Sequence, residues 1–154
     1  MGSKKRVITL AAVIAIFAGI WIYPGDSKES CINLYVDFGQ LDNSNKISQC
    51  IPATKTTDAF DILKSGKIDL EGTNKYGLQV VCRVNGLPTK EVESCDVMPS
   101  EKAFWAIITK EKLSLVNLFP KWGWAQVGVA DIKLNPGDSF GLVFSQEGDL
   151  KWPD

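Results

Sequence analysis

The order of patterns along this chain predicts an α+β fold with a mixed sheet and one main helix. An alternating hairpin comes first, a single amphipathic helix follows, and a series of further alternating segments fills the rest. No strand–helix–strand repeat is present to build a parallel α/β sheet. A third observation stands apart from the domain: an uncharged apolar run at the N-terminus predicts a transmembrane or signal helix ahead of it.

That run follows a basic cluster, Lys4, Lys5 and Arg6, and extends from Val7 to Tyr23. As a helix it rises about 25 Å, near the short limit for crossing a hydrocarbon core. A cleavable signal needs small residues before the cut, whereas here the run ends Ile20-Trp21-Ile22-Tyr23-Pro24-Gly25. The pattern therefore favours an uncleaved anchor over a removed signal peptide. Trp21 and Tyr23 suit the outer interface, and the basic cluster keeps the N-terminus in the cytoplasm. A buried helix of a soluble domain fits worse, because the run has no polar face and no capping residues. The expected organisation is a signal anchor or signal peptide over 1–23, a polar linker over 24–30 and one folded, exported domain over 31–154. The protein is then a single-pass cell-membrane protein with its C-terminal domain outside, or is secreted if the leader is cut.

Without Lys4, Lys5 and Arg6, the 17 basic residues fall to 14 against 18 acidic ones. A phosphate backbone needs a basic stripe, so a nucleic-acid partner is excluded. Outside the cytosol the four cysteines, Cys31, Cys50, Cys82 and Cys95, read as two disulfides. They lack the close pairs of a zinc ribbon, and the chain has no histidine to complete a mixed metal site.

The first element is a strand in which Ile32, Leu34, Val36 and Phe38 share one face and Cys31, Asn33, Tyr35 and Asp37 the other. Gly39-Gln40-Leu41-Asp42-Asn43 turns the chain into a returning strand from Lys46 to Ile51, with Ile47 and Ile51 inward. Placing Leu34 opposite Ile47 sets Tyr35 opposite Lys46 and Cys31 directly opposite Cys50, within bridging reach. Cys82 then pairs with Cys95 by elimination and by the short loop between them. Each closure is worth about 3 kcal/mol in the chain-entropy model.

The helix comes next. Thr56 or Thr57 caps it, Asp58 favours its positive end, Ala59, Phe60, Ile62 and Leu63 form its apolar stripe, and Gly66 ends it after about ten residues. Strands are expected at 76–85, where Leu78, Val80, Cys82 and Val84 alternate, at Phe104–Thr109, around Trp122–Val129, and at Ser139–Phe144 behind the turn Asn135-Pro136-Gly137-Asp138.

Several of these strings carry a resemblance. Thr57-Asp58-Ala59-Phe60-Asp61-Ile62-Leu63, Val81-Cys82-Arg83-Val84-Asn85-Gly86-Leu87-Pro88, the pair Phe104-Trp105, Trp122-Gly123-Trp124 and Pro136-Gly137-Asp138 occur in the order of bacterial domains similar to the C-terminal domain of transcobalamin. The chain resembles that soluble-ligand-binding family over roughly residues 32–145. The resemblance implies a β-grasp-like sheet and a small cofactor-like ligand, such as a corrinoid, linked to uptake through a membrane importer. Where the family's segment is richest in tryptophan, this chain has Ala106-Ile107-Ile108, a thinner aromatic surface.

Enzymatic chemistry finds no support in the residues. Without histidine there is no Ser-His or Cys-His nucleophile, and the cysteines serve as bridges. Asp58 with Asp61, and Glu91 with Glu93, read as solvated pairs rather than acid–base dyads. The chain reads as a non-enzyme with no resident cofactor. The candidate ligand-binding residues are Trp105, Trp122, Trp124 and Arg83. Trp122 and Trp124 are i and i+2 on a strand and share a face, with Phe104 and Trp105 on a neighbouring strand. Exposed, such rings stack on a flat ligand; buried, they are core. Arg83 is a ligand or carboxylate clamp, or an outward residue on a strand whose other face is apolar. Two function classes remain: a membrane-tethered or secreted binding module for a small molecule, and a structural or protein-interaction domain of the cell envelope.

Overall fold

The computed structural model describes residues 30–153 apart from 43, 44, 114, 116, 117 and 149. The expected N-terminal anchor or signal helix, and the linker up to Glu29, lie outside the described residues. Among the described residues, no helix is long and apolar enough to cross a membrane.

Strand β1 (Cys31–Asp37) has the expected alternation: Ile32, Leu34 and Val36 are completely buried, while Asn33 is exposed. It pairs antiparallel with β2 (Lys46–Pro52), but the register corrects the expectation by two residues. Leu34 faces Gln49, Tyr35 faces Ser48, and Cys50 faces Asn33 rather than Cys31. The cause is a tight 3-10 turn at Gly39–Asp42, closed by the Phe38 N–H donating to the Asn45 carbonyl, which lengthens the connection. A two-residue slip leaves every side chain on its own face. The Cys31–Cys50 bridge therefore still forms, now across a diagonal with 5.5 Å between Cα atoms.

The next segment is shared between a strand and a helix. Thr57–Asp58 forms β3, pairing with β8 (Lys133–Leu134), so α1 is limited to Ala59–Ser65. Asp58 is the residue before the first helical turn, yet its carboxylate caps nothing and instead meets Lys133 across the β3–β8 pair. Ala59, Ile62 and Leu63 are buried as expected, but Phe60 is 42% exposed and leaves the apolar stripe. Gly66 does end the helix, for a reason other than backbone freedom: a Cβ there would come within 2.5 Å of Leu34 Cδ2, and Lys67 is the residue with positive φ.

The remaining strands are β4 (Leu70–Thr73), β5 (Gly77–Val84), β6 (Ala103–Lys110), β7 (Gly123–Trp124) and β9 (Ser139–Gln146). Five strands form one mixed sheet in the order β2-β1-β9-β6-β7, with β1 and β9 parallel and the other pairs antiparallel. Strands β4 and β5 make a separate ribbon. The core lies between the sheet's inner face, α1 and this ribbon, with Phe140, Ile32, Leu34, Leu142, Ile62 and Val84 among its fully buried side chains. The fold class is α+β with a single α-helix among the described residues.

Two further expectations are corrected. In β5 the alternation breaks, because register shifts on either side of Gly72 twist the ribbon and bury all four residues from Val81 to Val84. The strand expected over Trp122–Val129 shrinks to two residues. After Trp124 the chain turns toward β5, where Gly128 is so close to Gln79 that a Cβ would lie 2.3 Å from its Cα. Cys82 and Cys95 are bridged as expected, with 5.6 Å between Cα atoms.

Candidate functional site

Strand β6 is paired unequally on its two sides. Against β9 the ladder runs from Ala103–Gln146 to Lys110–Ser139 without interruption. Against β7 it covers Ile108 and Thr109, extended by one bond from the Ala125 N–H to the Ile107 carbonyl at 2.9 Å. From Ala103 to Ala106 this second edge is left open, and beside it runs a groove of about 640 Å³. It is lined by Gln79–Val81 of β5, by Gln126–Gly128, and by Met98, Phe104 and Trp124. Gln79 holds the first two of these segments together: its side-chain oxygen accepts from the Gly128 N–H at 3.2 Å, and its side-chain amide donates to Asp131.

The groove is apolar in character. Met98, Val127 and Trp124 are each about half exposed, and Glu101 is the one ionisable group among the lining residues. Its size lies within the usual range for small-ligand sites. No cluster of three or more His, Cys, Asp or Glu that could hold a metal occurs among the described residues.

The four sequence-predicted residues do not converge. Phe104 and Trp105 are adjacent on one strand, so they project to opposite faces of the sheet. Trp105 points inward, with its ring 5.4 Å from both Phe38 and Phe144 and its Nε1–H donating to the Leu87 carbonyl at 3.0 Å. It is core, and it is also among the residues that border the groove. Trp124 lies on the outer face, 6.1 Å from Phe104 and 6.1 Å from Trp152. Trp122 packs 6.4 Å from Tyr35 with the Lys110 ammonium 5.9 Å from its ring centroid, and does not line the groove. The Trp122 Nε1 is buried and has no hydrogen-bond partner among the described residues.

Arg83 is neither an outward residue nor free to clamp a ligand. It is 2% exposed, with Nε donating to the Pro88 carbonyl at 3.0 Å, Nη2 donating to the Glu93 carbonyl, and Nη1 2.7 Å from Glu71 Oε1. Its guanidinium is thus the internal frame of the Asn85–Ser94 loop, and the hydrogen bond it gives holds the Glu71 carboxyl below the usual range. Asp138, from the Pro-Gly-Asp string, is likewise used inside the fold. Its two oxygens accept from the N–H groups of Asn135 at 2.7 Å and Lys112 at 3.0 Å, fixing the turn before β9.

A second polar cluster lies on β1. Asp37 is buried, yet its carboxylate accepts from the Tyr35 hydroxyl at 3.1 Å and the Gly39 N–H at 2.9 Å and pairs with Lys46 at 3.1 Å. Burial, with the Asp37 charge adding to it, pushes the Tyr35 phenol up, and the bond to Asp37 holds the Lys46 ammonium above its usual range. These groups satisfy one another, and the groove along β6, more apolar than the recess of about 610 Å³ that Tyr35, Lys46 and Trp122 border, is the candidate site.

Sequence reasoning included Trp124 and Phe104 but missed Gln79, Met98 and Val127. The parity of Phe104 and Trp105 was the signal that could have placed Phe104, rather than Trp105, beside Trp124. No family model, curated protein or solved structure matches this chain.

Proposed function

We propose that this protein is an exported binding module, tethered by its N-terminal apolar segment or secreted, that takes an apolar ligand in the groove along β6. The observation that carries the reading is the groove itself: a defined apolar recess beside an unpaired strand segment, framed by aromatic rings and holding one ionisable group. Two disulfides support an extracytoplasmic location, because such bonds persist in oxidising compartments. The sheet order, with the first and last strands parallel at its centre and a helix packed on one face, supports a β-grasp-like fold. With the resemblance to transcobalamin-like domains, this makes a flat cofactor-like molecule such as a corrinoid one ligand class, delivered to a membrane importer.

A second reading, a protein-interaction domain of the envelope, is favoured by the open edge of β6. A thermal-shift screen with corrinoids, haems, flavins, sugars and wall fragments tests the first. A groove ligand at 100 times its dissociation constant adds about 2.7 kcal/mol, raising the melting temperature by about 10 °C and quenching Trp124 fluorescence. The Trp124→Ala variant loses the shift. A panel that gives neither a shift nor quenching removes the small-molecule reading.

A further inference from the structure

The main-chain groups at the open edge can be oriented from hydrogen bonds made elsewhere in the sheet. In a strand, the N–H and C=O of one residue point to one side and those of the next residue to the other. The Ile107 carbonyl accepts from Ala125, on the β7 side. Two and four residues earlier, Trp105 and Ala103 therefore turn their groups to that side as well. The far strand gives the same answer. The Asn33 N–H donates to the Asp138 carbonyl, so Phe140, Leu142 and Phe144 face β1, whereas Gly141, Val143 and Ser145 face β6. Their partners there are Ile108, Ala106 and Phe104. Trp105, between two of these, is turned to the groove.

What meets these groups is little. No ladder joins β5 to β6, since β5 belongs to the separate ribbon. The Ala103 N–H donates to the Ser100 carbonyl at 3.1 Å and the Ile107 carbonyl is taken by Ala125. The Ala103 C=O, the N–H and C=O of Trp105 and the Ile107 N–H have no such bond among the described residues. Four ladder groups on three alternate residues thus face the groove, and the middle residue, Trp105, is 4% exposed.

Resting on the reading of the groove as the binding site, we infer that its occupant is an extended peptide segment of a partner protein, which adds to β6 as a further strand. Donors and acceptors repeating about every 6.7 Å are the spacing of another extended backbone. Added antiparallel, as β7 is on the same side, the segment places opposite Trp105 a residue that exchanges two hydrogen bonds with it. The residues on either side of that one project to the outer face, where Phe104 and the half-exposed Trp124 wait 6.1 Å apart. The segment therefore carries apolar side chains at those two flanking positions, with a basic residue toward Glu101, the one ionisable group of the lining.

The test is selection from a displayed library of random heptapeptides on the full chain, followed by synthesis of the selected peptides. They are expected to show apolar residues at alternate positions, to shift the Trp105 and Ile107 amide resonances and to slow exchange of those amides. N-methylation of the residue opposite Trp105 should weaken binding about tenfold, and Trp124→Ala should relax the choice at the flanking positions. Binding that is indifferent to N-methylation, or failure to select any peptide, overturns the inference. If a small molecule fills the groove while no peptide does, the groove stands and the strand-addition proposal falls; if neither binds, both fall. Trp105 amide protection in the free chain that grows with protein concentration assigns the edge to a second copy and likewise overturns the proposal.

Discussion

Strands β1 and β6 are of nearly equal length and share the neighbour β9, yet one is closed and the other is not. β1 is paired along its whole length by β2 and from Asn33 to Asp37 by β9, its inward residues are completely buried, and a disulfide ties it to the adjoining strand. β6 has a full partner on one side and two residues of β7 on the other. Its own composition is equally apolar, so hydrophobicity does not set the difference. The difference lies in whether the chain returns to pair with the strand or leaves it, and beyond Trp124 the chain leaves for β5. The open edge of β6 is a strand that the fold leaves unfinished.

The sharpest way to break this comparison uses one residue type on the two faces of the open region. Trp105→Ala should cost about 4 kcal/mol in chemical denaturation, the loss for a buried aromatic side chain. Trp124→Ala should cost under about 1 kcal/mol, since a half-exposed ring contributes little. Equal losses would make Trp124 a core residue and close the groove reading. Next in size are the bridges. Replacing Cys82 and Cys95 by serine should remove about 3 kcal/mol, and Cys31 with Cys50 a similar amount. Only the former should speed amide exchange through residues 83–94, which mass spectrometry can read; uniform acceleration would deny that this bridge acts locally.

Arg83→Leu should cost about 2 kcal/mol, because it leaves the Pro88 and Glu93 carbonyls without their donor. A melting temperature within error of the parent would mean that the loop is held by other means. The smallest effect concerns pH. Arg83 depresses the folded-state Glu71 carboxyl, so the stability it brings is present above its ordinary value of 4.5 and is lost as pH falls through the lower folded value. Glu71→Gln should therefore lower the melting temperature slightly at neutral pH, and the difference from the parent should shrink to nothing as pH falls below about 4.5. A parallel downward displacement at every pH would assign Glu71 a packing role instead.

The sequence carries the closed half of the molecule well. Period-two alternation marks β1, and the i, i+3, i+4 pattern of Ala59, Ile62 and Leu63 marks α1. The cysteine pairing survived a wrong register because a slip of two residues preserves faces. The open half was harder for physical reasons. The twist of the β4–β5 ribbon buries Arg83 through register shifts that have no one-residue signature. The early end of β7 depends on Gly128 reaching Gln79 from 49 residues away, a tertiary contact that local propensity does not encode. The placement of Trp105 was legible all the same, since adjacent residues on a strand cannot share a face.

The Cys82–Cys95 bridge has one more consequence. It spans an exposed stretch that includes Lys90, Glu91 and Val92, the last 75% exposed, the kind of site where proteases cut first. A single cut after Lys90 would divide the chain into a piece holding β1, β2, α1 and β5 and a piece holding β6 and β9. The bridge would keep the two covalently joined, and the parallel β1–β9 pairing would keep them docked. After such a cut the molecule would persist as a two-chain protein, its severed loop visible only on a reducing gel.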